Sequence, residues 1–191
     1  MFDVPAFVAA RQDFDQGRGP ADAWDRLHRI SMDRLRELAE RDGVKSWAML
    51  IGPLDALASA DAQATVVHTL RSMGYRQIPC RIHWQNPSTM VCSPAVVVPR
   101  LSDHHAARIA QRRHQLAVVQ VTTAPEHVEV VNVASGHRVH LDAIGSAALA
   151  DALAELFDAV KVLIEYVPIG WFEGLACSIA AQRLNRTVPK R

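Results

Sequence analysis

Hydrophobic positions along this chain change period several times, and each change marks an element. Over residues 21–42, Trp24, Leu27, Ile30, Leu35 and Leu38 recur at three- to five-residue steps with charges between them, which predicts an amphipathic helix ended by Asp42-Gly43. Residues 1–20 predict a short helix or arm and then a loop at Gly17, Gly19 and Pro20. Residues 44–51 are nearly continuous in apolar character and read as a buried strand, stopped by Gly52-Pro53. Val66, Val67, Leu70 and Met73 return to helical spacing, so a helix over 60–73 is expected, with Ser59 as its cap and Asp61 in its first turn. Gly74 supplies the positive φ that closes a last helical turn, and Ile78-Pro79 forces extended backbone.

Strands follow over 78–84 and 90–98, joined by a turn at 85–88, with Pro94 marking an edge or a bulge. Ser102 caps a third helix over 103–115. Residues 116–123 and 128–133 read as strands joined through Pro125, and Ser135-Gly136 turns the chain into a return strand at 137–141. Leu149, Leu153, Leu156, Phe157 and Val160 predict one long helix over 143–166, with Lys161 and Glu165 as a surface ion pair at i, i+4. Pro168 and Gly170 end it, and a last helix is expected over 171–184. The order of elements predicts a single α+β domain over 1–191 with a mixed sheet and a helical C-terminal elaboration from about 143 to 185.

Composition narrows the function without choosing it. An apolar fraction of 49% in 191 residues is enough for a core without staples. The formal net charge of +1 gives no whole-chain pull on nucleic acid, so any such binding rests on local patches. Cys80, Cys92 and Cys177 are odd in number and unpaired in spacing, which argues against a secreted disulfide scaffold. Cys80, beside Pro79, is the candidate reactive thiol, with a buried inert thiol as the plainer reading. No run nears the roughly 20 apolar residues of a membrane span, and the N-terminus lacks a signal-peptide pattern, so a cytoplasmic protein without membrane contact is expected. The nine histidines and the cysteines lack the spacing of a metal site.

The local patch is at 100–114. On a helix, Arg108 and Arg112 share a face with His104 or His105, and Arg100 precedes the cap. Arginine forks fit phosphate oxygens, so Arg100, Arg108, Arg112 and Arg113 are the DNA-binding candidates, against the alternative of a solvated helix face. Asp61, His68 and Arg71 form an acid–base-plus-cation row along the second helix, the candidate catalytic set, against a plain polar stripe. Trp24, Trp47, Trp84 and Trp171 are candidate base-stacking platforms, with core packing as the alternative.

Residues 44–84 carry a resemblance. The helix ending at Gly74 and leading into Ile78-Pro79 is similar to the core shared by ParB partition proteins and sulfiredoxins, here spanning about 44–142. Size and the C-terminal extension look most like plasmid fertility-inhibition factors of the Osa (oncogenic suppression activity) type. The resemblance implies a ParB/sulfiredoxin-like fold, inhibition of conjugative, type IV secretion DNA transfer, ATPase activity and ATP-regulated DNase activity. It implies ATP as cofactor, with a Mg²⁺ held by aspartate and the ATP phosphates compatible with it. Its partners would be the transferred DNA strand and type IV secretion or relaxase components. Nucleotide is then expected at Gln63, Thr65, Arg71 and Arg100. The family's Gly-x-x-Arg turn falls on Gln63, Ala64, Thr65 and Val66, where both signature residues are missing. Only the backbone N–H groups around 60–63 would remain to cradle an anion. The alternative is a catalytically inactive module that inhibits a DNA-transfer or partition machine through protein contacts.

Overall fold

The computed structural model describes residues 2–16, 20–54, 56–143 and 145–168, without the side chains of 20–22 and 56–61. The chain runs α1 (Val4–Asp15), α2 (Pro20–Ala39), β1 (Ser46–Ile51), α3 (Ala56–Ser72), β2 (Ile78–Gln85) and β3 (Met90–Pro99). It continues through α4 (Asp103–Arg112), β4 (Ala117–Thr123), β5 (Glu126–Asn132), β6 (Arg138–Leu141), α5 (Ser146–Leu156) and β7 (Lys161–Tyr166). Seven strands form one sheet in the order β6-β5-β4-β1-β3-β2-β7.

The α+β class holds. The expected mixed sheet does not, since every adjacent pair of strands is antiparallel. The reason lies in the crossovers. α3 carries the chain from β1 to a strand of the same direction, β2, but β3 lies between them. α4 does the same from β3 to β4, with β1 between. Two interleaved βαβ units thus give a ladder with antiparallel neighbours only, the split arrangement of ferredoxin-like sheets.

The period-2 alternation of β1 divides the interior. Trp47, Met49 and Ile51 enter one core with Phe7 and Ala10 of α1, Trp24, Leu27 and Leu35 of α2, and Leu149 and Leu153 of α5. Ala48 and Leu50 enter the other with Val66 and Leu70 of α3 and Ala106, Ile109 and Ala110 of α4. Each buried leucine or valine here contributes about 1.5–3 kcal/mol. α2 and α5 therefore cover one face and α3 and α4 the other, while α1 packs on α2 at the β7 edge and reaches Glu165 and His83 there.

Several elements form as the pattern predicts. Gly74 has φ +79°, and Tyr75 N–H returns to the Leu70 carbonyl at 3.0 Å, closing α3. The Ser102 side chain accepts from His105 N–H and caps α4. Trp24, Trp47 and Trp84 are buried in the core, so they stack on neighbouring side chains and offer no platform for bases. Pro94 sits inside β3 without a bulge. It pairs with Arg81 of β2, while β1 ends opposite Ala95 and Gly52 N–H takes the Pro94 carbonyl at 2.8 Å. The missing amide of the proline therefore costs no ladder bond.

The 143–166 stretch departs from expectation. Its helix stops at Leu156, Asp158 takes φ +52°, and Lys161–Tyr166 becomes an edge strand on β2. Leu149 and Leu153 do fill the core, but Val160 is exposed. The run Val162-Leu163-Ile164 suits a strand buried on both faces, and pairing with β2 decides it over helical spacing. Lys161 and Glu165 are thus no helical ion pair. Lys161 reaches Asp25 at 2.6 Å, and Glu165 is buried. The helix expected over 171–184, together with Trp171 and Cys177, lies outside the described residues. Among the described residues no helix is long and apolar enough to cross a membrane.

Candidate nucleic-acid interface and the cleft beside it

α3 and α4 lie side by side and antiparallel on one face of the sheet. A hydrogen bond of 3.1 Å joins the Tyr75 hydroxyl, just past α3, to Nδ1 of His105 in the first turn of α4. At the other end of α4, Arg113 donates to the Thr69 hydroxyl at 3.3 Å, and Thr69 in turn donates to the Thr65 carbonyl at 2.8 Å. Thr65 is half-buried on this seam. The inner face of α4 is Ala106, Ile109 and Ala110, so helical geometry turns Arg108 and Arg112 outward, where both are exposed. Arg71 is exposed on α3, on the flank away from this seam, where it lines a cleft.

These arginines share one property. Among the described residues, none of Arg71, Arg108, Arg112 and Arg113 has a carboxylate within 4 Å, whereas Arg11, Arg26, Arg34, Arg36 and Arg138 each do. The basic patch read at 100–114 is thus a surface of uncompensated guanidinium groups. Arg100 is not part of it. It follows β3 with φ +62°, and its N–H bonds Ser46 at the start of β1. There it lines a groove of about 500 Å³ with Asp42, Met73 and Arg76. Gln63 lies at the other end of β1, close to Gly52. Six strand residues separate these ends, about 20 Å. Arg100 therefore does not join Gln63 and Thr65 at one nucleotide.

Along α3 the candidate residues divide. Gln63, Val67 and Arg71 recur at i, i+4, i+8 and line a cleft of about 340 Å³ with Tyr75, Gln77, Pro79, Ala95 and Val96. His68 is exposed and is not among the lining residues. Asp61 falls in the part of α3 whose side chains lie outside the described set. The helix also starts earlier than its pattern suggested. α3 begins at Ala56, so Ser59 is not its cap, and the N–H groups of 60–63 belong to the interior ladder. The backbone cradle expected there is absent for that reason.

A second polar cluster escaped the sequence reading altogether. Between α1 and the β2–β7 pair, Arg11 Nε meets Glu165 Oε1 at 3.1 Å, and Nη2 meets Asp15 at 3.1 Å. His83 Nε2 meets Glu165 Oε2 at 2.6 Å. Phe14 covers the Arg11 guanidinium and the His83 ring. Burial alone would raise the Glu165 carboxyl, but the His83 hydrogen bond and the charges of His83, Arg11 and Arg81 outweigh it and hold the group below its ordinary range. Asp15 is raised, chiefly by burial. Alternation along 78–85 could have placed Arg81 and His83 on one face. Nothing in the sequence announced Arg11, because its partner sits on a strand that had been read as a helix.

Cys80 is fully buried, and burial pushes its thiol pKa up, so the reactive-thiol reading fails there. Among the described residues no group of histidine, cysteine and carboxylate side chains is arranged to hold a metal. Comparison with protein-family models, curated proteins and solved structures finds no match to this chain.

Proposed function

We propose that this chain is a binding module for nucleic-acid phosphates that inhibits a DNA-transfer or partition machine. The observation that carries the reading is that Arg71, Arg108, Arg112 and Arg113, on one helical layer, have no carboxylate within 4 Å among the described residues. Phosphate contacts by such groups release counterions, which makes binding tight at low salt and weak at high salt. The link to fertility inhibition rests on the likeness of residues 44–84 to the ParB/sulfiredoxin core, a stretch that forms β1, α3 and β2 here. The non-catalytic version is preferred because His68 is exposed away from the cleft that Gln63 and Arg71 line. A general base must reach the proton it takes. The ATP-linked version keeps one point in its favour, the shared cleft of Gln63 and Arg71.

Fluorescence anisotropy with single-stranded and duplex oligonucleotides, run over a salt series, tests the proposal. Wild-type affinity should fall steeply with salt. The double variant Arg108→Ala/Arg112→Ala should flatten the log–log slope by roughly 1.5–2, about one unit per lost phosphate contact. An unchanged slope removes the basic face from the proposal. ATP hydrolysis or DNA cleavage that vanishes in His68→Ala would return the enzymatic reading to first place.

A further inference from the structure

β2 alternates between the two faces of the sheet. Ile78, Cys80, Ile82 and Trp84 enter the α1/α2/α5 core, so Pro79, Arg81 and His83 turn the other way. Pro79 lines the cleft beside α3, and Arg81, just beyond its lining residues, is next along the same face. Arg81 is only 8% exposed. Among the described residues its guanidinium makes no hydrogen bond and has no carboxylate within 4 Å. None of its nitrogens is among the fully buried atoms without a partner, so the guanidinium still reaches solvent and can meet an anion.

The natural partner stands directly across the ladder. Glu165 of β7 is the register partner of Arg81. It is held instead by Arg11, at 3.1 and 3.4 Å, and by His83 at 2.6 Å. A second buried group is also left over nearby. Gln63 is 4% exposed, lines the cleft, and its Oε1 has no partner. That oxygen and the Pro94 ring both crowd the space above Gly52, and Pro94 is the β3 register partner of Arg81. The partnerless Gln63 oxygen and the Arg81 guanidinium thus both neighbour one proline.

We propose that Arg81 anchors an oxyanion subsite on the floor between α3 and α1, and that Arg11 and His83 keep it open by holding Glu165 away. The ligand class is a small molecule with a phosphate or carboxylate on Arg81 and an apolar body against Val67, Pro79 and Val96. Gln63 offers an amide edge to its polar rim. This site is separate from the outer arginines of α4 and does not depend on them.

Phenyl phosphate and benzoate, titrated separately into the full chain and followed by amide chemical-shift changes, test it. Saturable binding of phenyl phosphate over benzoate assigns a phosphate, and the reverse order assigns a carboxylate. Binding of neither at millimolar concentration overturns the site. Arg81→Gln should weaken the bound probe by roughly tenfold or more, the size of one charge-assisted contact. If that variant is unstable, Arg81→Lys makes the same comparison, with loss of the fork geometry weakening binding less. Arg11→Ala should also weaken binding, because Glu165 is then released to Arg81. Arg11→Ala/Glu165→Gln should restore it, and Glu165→Gln alone should bind at least as well as wild type. A double variant no better than Arg11→Ala, or an Arg81→Gln protein that binds normally, overturns the proposal. Arg108→Ala/Arg112→Ala should leave phenyl phosphate binding unchanged, so the two sites fail or stand separately.

Discussion

The two helical layers treat most of their arginines in opposite ways, with Arg29 of α2 an exposed exception that has no carboxylate within 4 Å among the described residues. On the α1/α2 side, Arg11 is clamped to Asp15 and Glu165, Arg26 to Asp13, Arg34 to Glu37 and Arg36 to Glu40. Arg34 also lies over the rings of Phe2 and Tyr166. On the α3/α4 side, Arg71, Arg108, Arg112 and Arg113 are exposed with no carboxylate within 4 Å among the described residues. A layer whose charges are cancelled locally is organised for its own cohesion. A layer whose charges are left open keeps its field for something else. Near-zero net charge hides this difference, because the balance is reached across the molecule and not within each face.

The contrast breaks most sharply at Glu165. Glu165→Ala would leave buried His83 without its carboxylate and Arg11 with Asp15 alone, and should destabilise the protein by about 3–5 kcal/mol in a denaturant titration. A loss near that of an exposed pair would mean that the cluster is wetter than its burial implies. Next in size is nucleic-acid affinity. Arg108→Ala/Arg112→Ala should lower it about tenfold or more at low salt, while Arg26→Ala should leave it within about twofold, since its charge is already committed to Asp13. Equal losses for both variants would erase the distinction between the layers.

Acid sharpens the same comparison. His28 of α2 accepts from Ile164 N–H at 3.0 Å through Nδ1, which leaves Nε2 to donate to the Ser146 carbonyl at 2.8 Å. Burial, the main cause, lowers its pKa and keeps it neutral in the fold. The unfolded chain therefore binds the proton first. Stability should be full above the ordinary histidine pKa of about 6.5 and decline as pH falls below it. Glu165, also lowered, adds a second loss of the same sign once the pH passes below 4.5 toward its folded value. Urea midpoints at pH 7, 5.5 and 4 should fall in that order, and His28→Gln should flatten the first step. The smallest effect belongs to the exposed pair Arg138–Glu129 on the β5–β6 hairpin. Arg138→Ala should change stability by less than about 1 kcal/mol.

What could be read in advance depended on how local the deciding forces were. Gly74, Ser102 and the continuous apolar run of β1 act within a few residues, so helix ends and strands were legible there. The strand at Lys161–Tyr166 was not, because leucine spacing across Phe157 to Val160 imitates a helix, and the pairing that overrules it comes from β2, far away in sequence. The start of α3 was misplaced by one turn, which removed the expected amide cradle at 60–63 while leaving Gln63 and Arg71 together. Arg108 and Arg112 were legible as a patch. That they stand unpaired was not, since pairing is decided by which carboxylates the fold brings near.

The Arg11–Glu165 contact joins residues 154 positions apart. During synthesis, the first helix must therefore wait for nearly the whole described chain before its buried guanidinium meets its counter-ion. Until β7 leaves the ribosome, β2 presents a bare hydrogen-bonding rim, and Arg11 must remain hydrated. The growing polypeptide is thus most open to chaperones and proteases just before its last strand arrives, and truncations that remove 161–166 should be cleared by the cell rather than accumulate as a smaller folded core.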